Sequence, residues 1–110
     1  MTYVLITLVG KGLTNEEFLK TFLRFTEKQP YRVLRKGLMR LDDCYSNIHI
    51  HILLKCGKYG LLLPELQQPR ISVAWHEFSG GLGLAYVHKV TDLEISLKAL
   101  IGRCFGERLL

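Results

Sequence analysis

The sequence predicts an α+β domain in which helices pack against a mainly antiparallel sheet, with a ferredoxin-like or RRM-like topology. Apolar runs rich in β-formers alternate with stretches whose apolar residues recur at helical spacing. The resulting order is strand, helix, strand, strand, loop, strand, short helix, helix. Because 110 residues are enough for one hydrophobic core, we expect residues 1–110 to form a single domain.

The composition is that of a globular protein with a basic balance. Hydrophobic residues make up 48% of the chain, which excludes a disordered protein, and no apolar run is long enough to span a membrane. Lys and Arg outnumber Asp and Glu by 15 to 10, so the net charge of +5 favours an anionic partner such as nucleic acid. The three cysteines form no Cys-x-x-Cys pair, which speaks against a disulfide framework. The chain starts without the features of a signal peptide, so we expect an intracellular protein with no membrane partner.

The first part of the chain predicts a strand, a helix and a second strand. Residues 3–9 are an apolar run closed by a Gly-Lys-Gly turn, which is typical of a strand. Thr14 and Glu17 form a capping box ahead of an apolar stripe, so a helix is predicted from about Asn15 to Lys28. Residues 31–41 mix β-formers with basic residues and predict a second strand, which leads by a hairpin into the third.

The third strand, residues 47–55, is the one around which the domain is organised. Side chains alternate along a strand, so its isoleucines point to one face while His49 and His51 point to the other. Two neutral imidazoles held in this way can converge on one divalent ion. The alternative is a half-exposed strand that carries two histidines without binding metal.

Whether a carboxylate lies beside the two histidines depends on the register of the hairpin between the second and third strands. If residues 44–47 form the loop, Asp42 lies opposite His49 on the same face. A slip of one residue replaces Asp42 with Leu41, and a different loop length brings Asp43 there instead. The sequence therefore predicts a metal site with two histidines and leaves its third ligand open.

The second half of the chain predicts a strand and two helices. Residues 56–69 contain several Gly and Pro and predict no regular element. Residues 71–75 predict a strand, and the glycine-rich turn after it can precede a short helix that holds Tyr86 and Lys89. A second capping box opens a helix predicted for residues 91–105.

Taken in order, these motifs resemble the catalytic domain of the rolling-circle replication initiators of the HUH superfamily, the Rep proteins of small single-stranded DNA viruses and plasmids. That family carries a first motif on an opening strand, then a His-hydrophobic-His strand, then a Tyr-x-x-Lys helix. The matching segments here are Leu5-Ile6-Thr7-Leu8-Val9, His49-Ile50-His51 and Tyr86-Val87-His88-Lys89. The resemblance covers nearly the whole chain and rests on the order and spacing of the motifs.

The chain departs from the family pattern in its first motif and in its metal ligands. The family usually has an aromatic residue and a proline where Leu8 and Val9 stand, so only Thr7 carries over. The Glu that usually lies upstream of the histidines has no counterpart, so Asp42, Asp43 or water would take its place. These 110 residues include no helicase domain, so we expect either a nicking domain that works alone or a fragment of a longer protein.

The resemblance implies a metal-dependent endonuclease that nicks and rejoins single-stranded DNA at an origin, through a covalent 5′-phosphotyrosine. Tyr86 would be the nucleophile, and Lys89 would stabilise the phenolate or the phosphate. His49 and His51, with a carboxylate, would hold Mn²⁺ or Mg²⁺. Such an enzyme would act in the cytoplasm or nucleus of a host cell. Its oligomeric state stays open, with a homodimer among the options.

Two other functions are compatible with the sequence. One is a non-catalytic RRM-like nucleic-acid-binding domain in which the histidines are incidental, and the other is a protein-interaction or small metal-binding domain. Four basic residues of the predicted second strand could follow a DNA backbone: Arg32, Arg35, Lys36 and Arg40. His76 or Glu77, at the end of the strand predicted for residues 71–75, could approach the site.

Overall fold

The computed structural model shows an antiparallel sheet with helices packed on one of its faces. It describes residues 2–29, 31–42, 48–56, 68–90 and 108–109. The elements are β1 (Thr2–Gly10), α1 (Asn15–Phe25), a 3₁₀ helix (Tyr31–Lys36), β2 (Leu38–Asp42), β3 (Ile48–Cys56), α2 (Gln68–Phe78), β4 (Gly83–Lys89) and β5 (Arg108–Leu109). No helix among these residues is long and apolar enough to cross a membrane.

The strand order confirms the predicted fold class. The sheet runs β4-β1-β3-β2-β5, and every neighbouring pair is antiparallel. β1 and β2 are connected through α1 with β3 between them, and β3 and β4 are connected through a segment containing α2 with β1 between them. The first four strands and the two helices therefore have the α+β, ferredoxin-like arrangement.

The core lies between the helices and one face of the sheet. Alternate residues of β1 and β3 are buried there: Val4, Ile6, Leu8, Ile48, Ile50, Ile52 and Leu54. Aromatic and aliphatic side chains of the two helices pack against them, namely Phe18, Phe22, Phe25, Ile71 and Trp75. The alternation predicted for the third strand is confirmed, and it leaves His49 and His51 on the opposite face.

The capping box predicted for α1 is confirmed. The Glu17 N–H donates to Thr14 Oγ1, and the Thr14 N–H donates to Glu17 Oε1, both at 3.2 Å. Hydrogen bonding by the Thr14 side chain, and then by its backbone, lowers the pKa of the Glu17 carboxyl. α1 ends at Phe25, before the predicted end at Lys28.

The segment predicted as the start of the second strand is a 3₁₀ helix instead, and β2 begins at Leu38. The Arg35 guanidinium donates to Leu23 O at 3.0 Å, and Arg32 Nε donates to Glu27 O at 3.3 Å. Carbonyls at the C-terminal end of α1 attract cations, because the helix dipole is negative there. The prediction that Arg32, Arg35 and Lys36 lie on a strand is therefore wrong, because all three belong to the 3₁₀ helix.

Residues 71–75 belong to helix α2, so the strand predicted there is wrong. Ile71 and Trp75, four residues apart, are both fully buried, whereas Val73 between them is 58% exposed. That spacing is the period of a helix. Packing of these two side chains into the core overrides the β-propensity of Ile71 and Val73.

The Tyr-x-x-Lys segment is strand β4, so the short helix predicted there is also wrong. Gly80 and Gly81 turn the chain after α2 with φ values of 74° and 83°, which glycine adopts without strain. Buried Gly83 and Ala85 then alternate with exposed residues, which is the period of a strand. The helix predicted for residues 91–105 lies outside the described residues.

We expect Gly83→Ala to destabilise the fold, because β4 passes close to α2 at this glycine. A Cβ atom at Gly83 would lie 2.5 Å from Ser79 Oγ and 2.9 Å from Trp75 Cδ1. The indole is held in place, since Trp75 Nε1 donates to Val9 O at 3.0 Å. Overpacking of this kind costs about 1–3 kcal/mol, so the urea midpoint of unfolding should fall. Gly80→Asn is the control, because Asn tolerates a positive φ, and an unchanged midpoint in Gly83→Ala would contradict the packing described here.

Candidate functional site

The face of the sheet opposite the helices carries both histidines. We call the following set of side chains the histidine face: Thr7, Val9, Arg40, His49, His51, Leu84 and Tyr86. They come from four different strands, and the strand register decides which of them are neighbours.

The register aligns the histidine face in two adjacent cross-strand rows. The first row is Tyr86, Thr7, His51 and Arg40, and the second is Leu84, Val9, His49 and, at the backbone level, Asp42. Adjacent strands are about 4.8 Å apart, so the backbones of Tyr86 and His51 are separated by roughly 10 Å, with Thr7 between them. The sheet thus brings Tyr86 to the same face as the histidine pair.

His49 and His51 are close enough to bind one ion together. Their ring centroids are 4.9 Å apart, with the ring planes at 81°, and both side chains are partly buried. Imidazole nitrogen is a good ligand for divalent transition metals. The donor set therefore fits the two-histidine part of the metal site that the sequence predicts.

Thr7 lies directly beside His51. Its Oγ1 is 2.9 Å from His51 Nδ1. In the tautomer with the proton on Nδ1, the ring donates to Thr7 and its lone pair is on Nε2. A hydrogen bond of this kind fixes the tautomer and the orientation of a metal-binding histidine. Thr7 is also the residue of the first motif that carried over from the family resemblance.

The predicted position of Asp42 opposite His49 is confirmed by the strand register. Asp43, the alternative third ligand, lies outside the described residues. Among the side chains that the structure describes, no group of three or more His, Cys, Asp and Glu is placed to hold a metal ion. The described site thus consists of two imidazoles, with Asp42 at the neighbouring backbone position.

Tyr86 and Lys89 are not brought together as predicted. Tyr86 is 44% exposed on the histidine face, and the parallel ring of His88 lies 6.5 Å away between centroids. Residues three apart in a strand point to opposite faces, so Lys89 is on the other side of the sheet from Tyr86. The expectation that both share one helix face is wrong, because the segment is not helical.

Arg40 is the member of the row that the sequence did not single out for the site. It was grouped with residues that could follow a DNA backbone, but it is 3% exposed and is paired with His51. The position of Arg40 follows from the sequence once the hairpin register is chosen, because the register with Asp42 opposite His49 also has Arg40 opposite His51. Arg40 is therefore a buried residue of the row beside His51.

A groove of about 410 Å³ adjoins the histidine face between α2 and β4. Its lining includes Ser72, Val73, His76, Glu77, Leu84 and Tyr86. Tyr86 therefore belongs both to the row with His51 and to this groove. The sequence predicts that His76 or Glu77 could approach the site, and both line the groove beside Tyr86.

No protein-family model, curated protein or solved structure matches this chain. The relationship to replication initiators thus stays a prediction from the sequence motifs, and the site is interpreted from its own chemistry.

Proposed function

We propose that this chain nicks and rejoins single-stranded DNA in a metal-dependent reaction, with Tyr86 as the nucleophile. The observation that supports this most is the cross-strand row, in which Tyr86 and His51 share one face of the sheet on either side of Thr7. A phenol is a weak nucleophile until nearby positive charge stabilises its anion. A divalent ion held by the histidine pair would supply that charge to a phosphate lying over the face.

His49 and His51 would hold the ion, and Asp42 is our candidate for the third ligand because it stands opposite His49 in the register. When bound, Mn²⁺ or Mg²⁺ would polarise the scissile phosphate, and the nitrogen ligands favour Mn²⁺. Thr7 orients the His51 ring through the 2.9 Å contact.

In the proposed step, Tyr86 Oη forms a bond to phosphorus and the bond from phosphorus to the 3′ oxygen breaks. The phenolic proton is lost to water, and the leaving oxygen takes a proton to become a free 3′-hydroxyl. One phosphodiester bond is exchanged for another, so the reverse reaction can rejoin the strand without ATP. The 44% exposure of Tyr86 leaves it accessible to a polymer substrate.

Lys89 has no part in this step. It was expected to assist Tyr86 from the same helix face, but alternation along β4 places it on the opposite side of the sheet.

A second candidate function is supported by the aromatic side chains of β4. Tyr86 and His88 are exposed on the same face, with ring planes only 11° apart. Exposed aromatic rings on a sheet of this topology can stack with unpaired bases, as in RRM-like domains. A domain of that kind would bind nucleic acid with strong salt dependence and without any need for metal.

A denaturing gel separates these two functions. Cleavage through Tyr86 leaves DNA covalently attached to the protein when Mn²⁺ is present, whereas binding alone leaves no attached DNA under denaturing conditions.

We expect Thr7→Val to weaken Mn²⁺ binding by about tenfold, because it removes the oxygen that His51 Nδ1 contacts. Valine keeps the shape and the β-propensity of threonine, so the strand should form normally. Calorimetric titration with Mn²⁺ measures the effect. Thr21→Val is the control, because Thr21 Oγ1 donates to Glu17 O within α1. This helix packs on the face of the sheet opposite the histidines. Equal Mn²⁺ affinity in Thr7→Val and the unaltered chain would contradict this role of Thr7.

A further inference from the structure

The groove between α2 and β4 combines apolar walls with polar groups. Val73 and Leu84 are exposed along it, and Tyr86 lines it together with the polar residues His76 and Glu77. Its volume of about 410 Å³ falls in the range of small-ligand sites, which typically pair an apolar lining with a few polar groups that fix orientation.

Two polar side chains of the groove donate to the backbone of β4. Ser72 Oγ donates to Ala85 O at 3.0 Å, and His76 Nδ1 lies 3.1 Å from Gly83 O. A carbonyl oxygen can only accept, so Nδ1 of His76 carries the proton in this hydrogen bond. The carboxylate of Glu77 is the acceptor that the groove presents to a ligand.

The same two hydrogen bonds argue against a peptide strand as the ligand. In the described sheet β4 lies at the edge, and an added strand would need its outward carbonyls. In an antiparallel pair, the backbone groups of every second residue point to the partner strand. The Val90 N–H donates to Tyr3 O of β1, so every second residue counted back from Val90 also faces β1. The carbonyls of Gly83 and Ala85, which lie between those residues, therefore point outward. Both are occupied by α2, so the edge is closed along this stretch.

Guanine is the base whose edge matches the carboxylate of Glu77. Its N1–H and N2–H₂ groups are adjacent donors and can donate side by side to the two oxygens of the Glu77 carboxylate. Adenine, cytosine and thymine each place an acceptor in that part of the edge. Tyr86 and the apolar walls can pack against the faces of the base.

We infer that this groove binds one guanine base of the single-stranded DNA, next to the phosphate that reaches Tyr86. The inference rests on the proposed function for the presence of DNA, and it adds a base preference to that function.

Fluorescence anisotropy in the presence of EDTA tests the inference. The probes are labelled oligothymidine strands of about twelve nucleotides, either unaltered or carrying one central dG, dA or dC. We expect the strand with dG to bind roughly tenfold more tightly than the other three. Equal affinities, or a preference for dA or dC, would overturn the inference.

Glu77→Gln is the matched variant, because the amide exchanges one of the two acceptors for a donor. It should bind all four strands with similar affinity, while Glu16→Gln, in the exposed first turn of α1, should keep the preference for dG. Replacing dG with deoxyinosine, which lacks the N2 amine, tests the unaltered chain and should give an intermediate affinity. A dG preference that persists in Glu77→Gln would also overturn the inference.

These experiments contain no metal and measure no cleavage. A chain that prefers dG but never becomes attached to DNA would disprove the proposed reaction and support the groove. A chain that becomes attached to DNA but has no base preference would disprove the groove alone.

Discussion

We expect Tyr86→Phe to abolish the covalent protein–DNA product while the affinity for single-stranded DNA stays within about twofold. Phenylalanine keeps the aromatic ring at its place in the row, so stacking with bases is retained. It lacks the Oη atom that would bond to phosphorus, so the amount of attached DNA should fall by at least ~10³-fold. A denaturing gel with labelled DNA measures the product, and anisotropy measures the binding.

Tyr3→Phe is the control for the nucleophile. Tyr3 lies in β1 on the same face as Thr7 but pairs with Lys55, away from the histidine pair. This variant should form the covalent product normally. If Tyr86→Phe also formed it, the nucleophile would have to be another residue.

The second large effect is expected for His51→Ala. This substitution removes one imidazole of the pair and leaves that of His49. A single imidazole does not hold a divalent ion firmly. Mn²⁺ affinity and the rate of covalent product formation should both fall by about 100-fold or more. Titration with Mn²⁺ and a time course on denaturing gels measure the two losses.

His88→Ala is the matched control, because His88 is an exposed histidine on the same face of the sheet. Its cross-strand neighbour in β1 is Leu5, which cannot bind a metal ion. It should bind Mn²⁺ as the unaltered chain does. Circular dichroism of His51→Ala checks that the sheet still forms. A folded His51→Ala that binds Mn²⁺ with unchanged affinity would contradict the metal site.

The parts of the fold that the sequence predicted correctly have strong local signals. The isoleucines and histidines of β3 alternate strictly, so one face can only be core. Thr14 and Glu17 signal the start of α1 through hydrogen bonds between residues three apart. The sequence left the register of the β2–β3 hairpin open, and the pairing of Asp42 with His49 is one of the alternatives that it allowed.

The parts that could not be predicted depend on contacts between distant segments. Residues 71–75 contain β-branched side chains, yet they form a helix because it buries Ile71 and Trp75 against the sheet. Residues 83–89 form a strand because they pair with Val4–Gly10 of β1. The resemblance to replication initiators itself favoured a helix for this segment, so family reasoning added to the error.

In the candidate site, too, some positions follow from local sequence patterns and others depend on contacts between distant segments. Arg40 could have been placed opposite His51 from the hairpin register alone. The position of Tyr86 beside Thr7 required the pairing of β4 with β1, which no local pattern in the sequence indicates. The residue proposed as nucleophile was therefore chosen on the sequence, but its placement in a strand row with His51 comes from the fold.

The central claim is that Tyr86 becomes covalently attached to DNA. The most direct measurement incubates the chain with varied pools of single-stranded DNA labelled at the 3′ end, with Mn²⁺ or with EDTA, and separates the products on a denaturing gel. A 5′-phosphotyrosine leaves the 3′-labelled fragment on the protein, and peptide mapping by mass spectrometry then identifies the attached residue.

We predict a labelled protein band that forms with Mn²⁺, is absent with EDTA, and yields a nucleotide-bearing peptide that contains Tyr86. If no band forms across diverse pools while the DNA still binds in the presence of Mn²⁺, the proposed nicking reaction does not occur. The RRM-like nucleic-acid-binding function would then be the better interpretation of this face of the sheet.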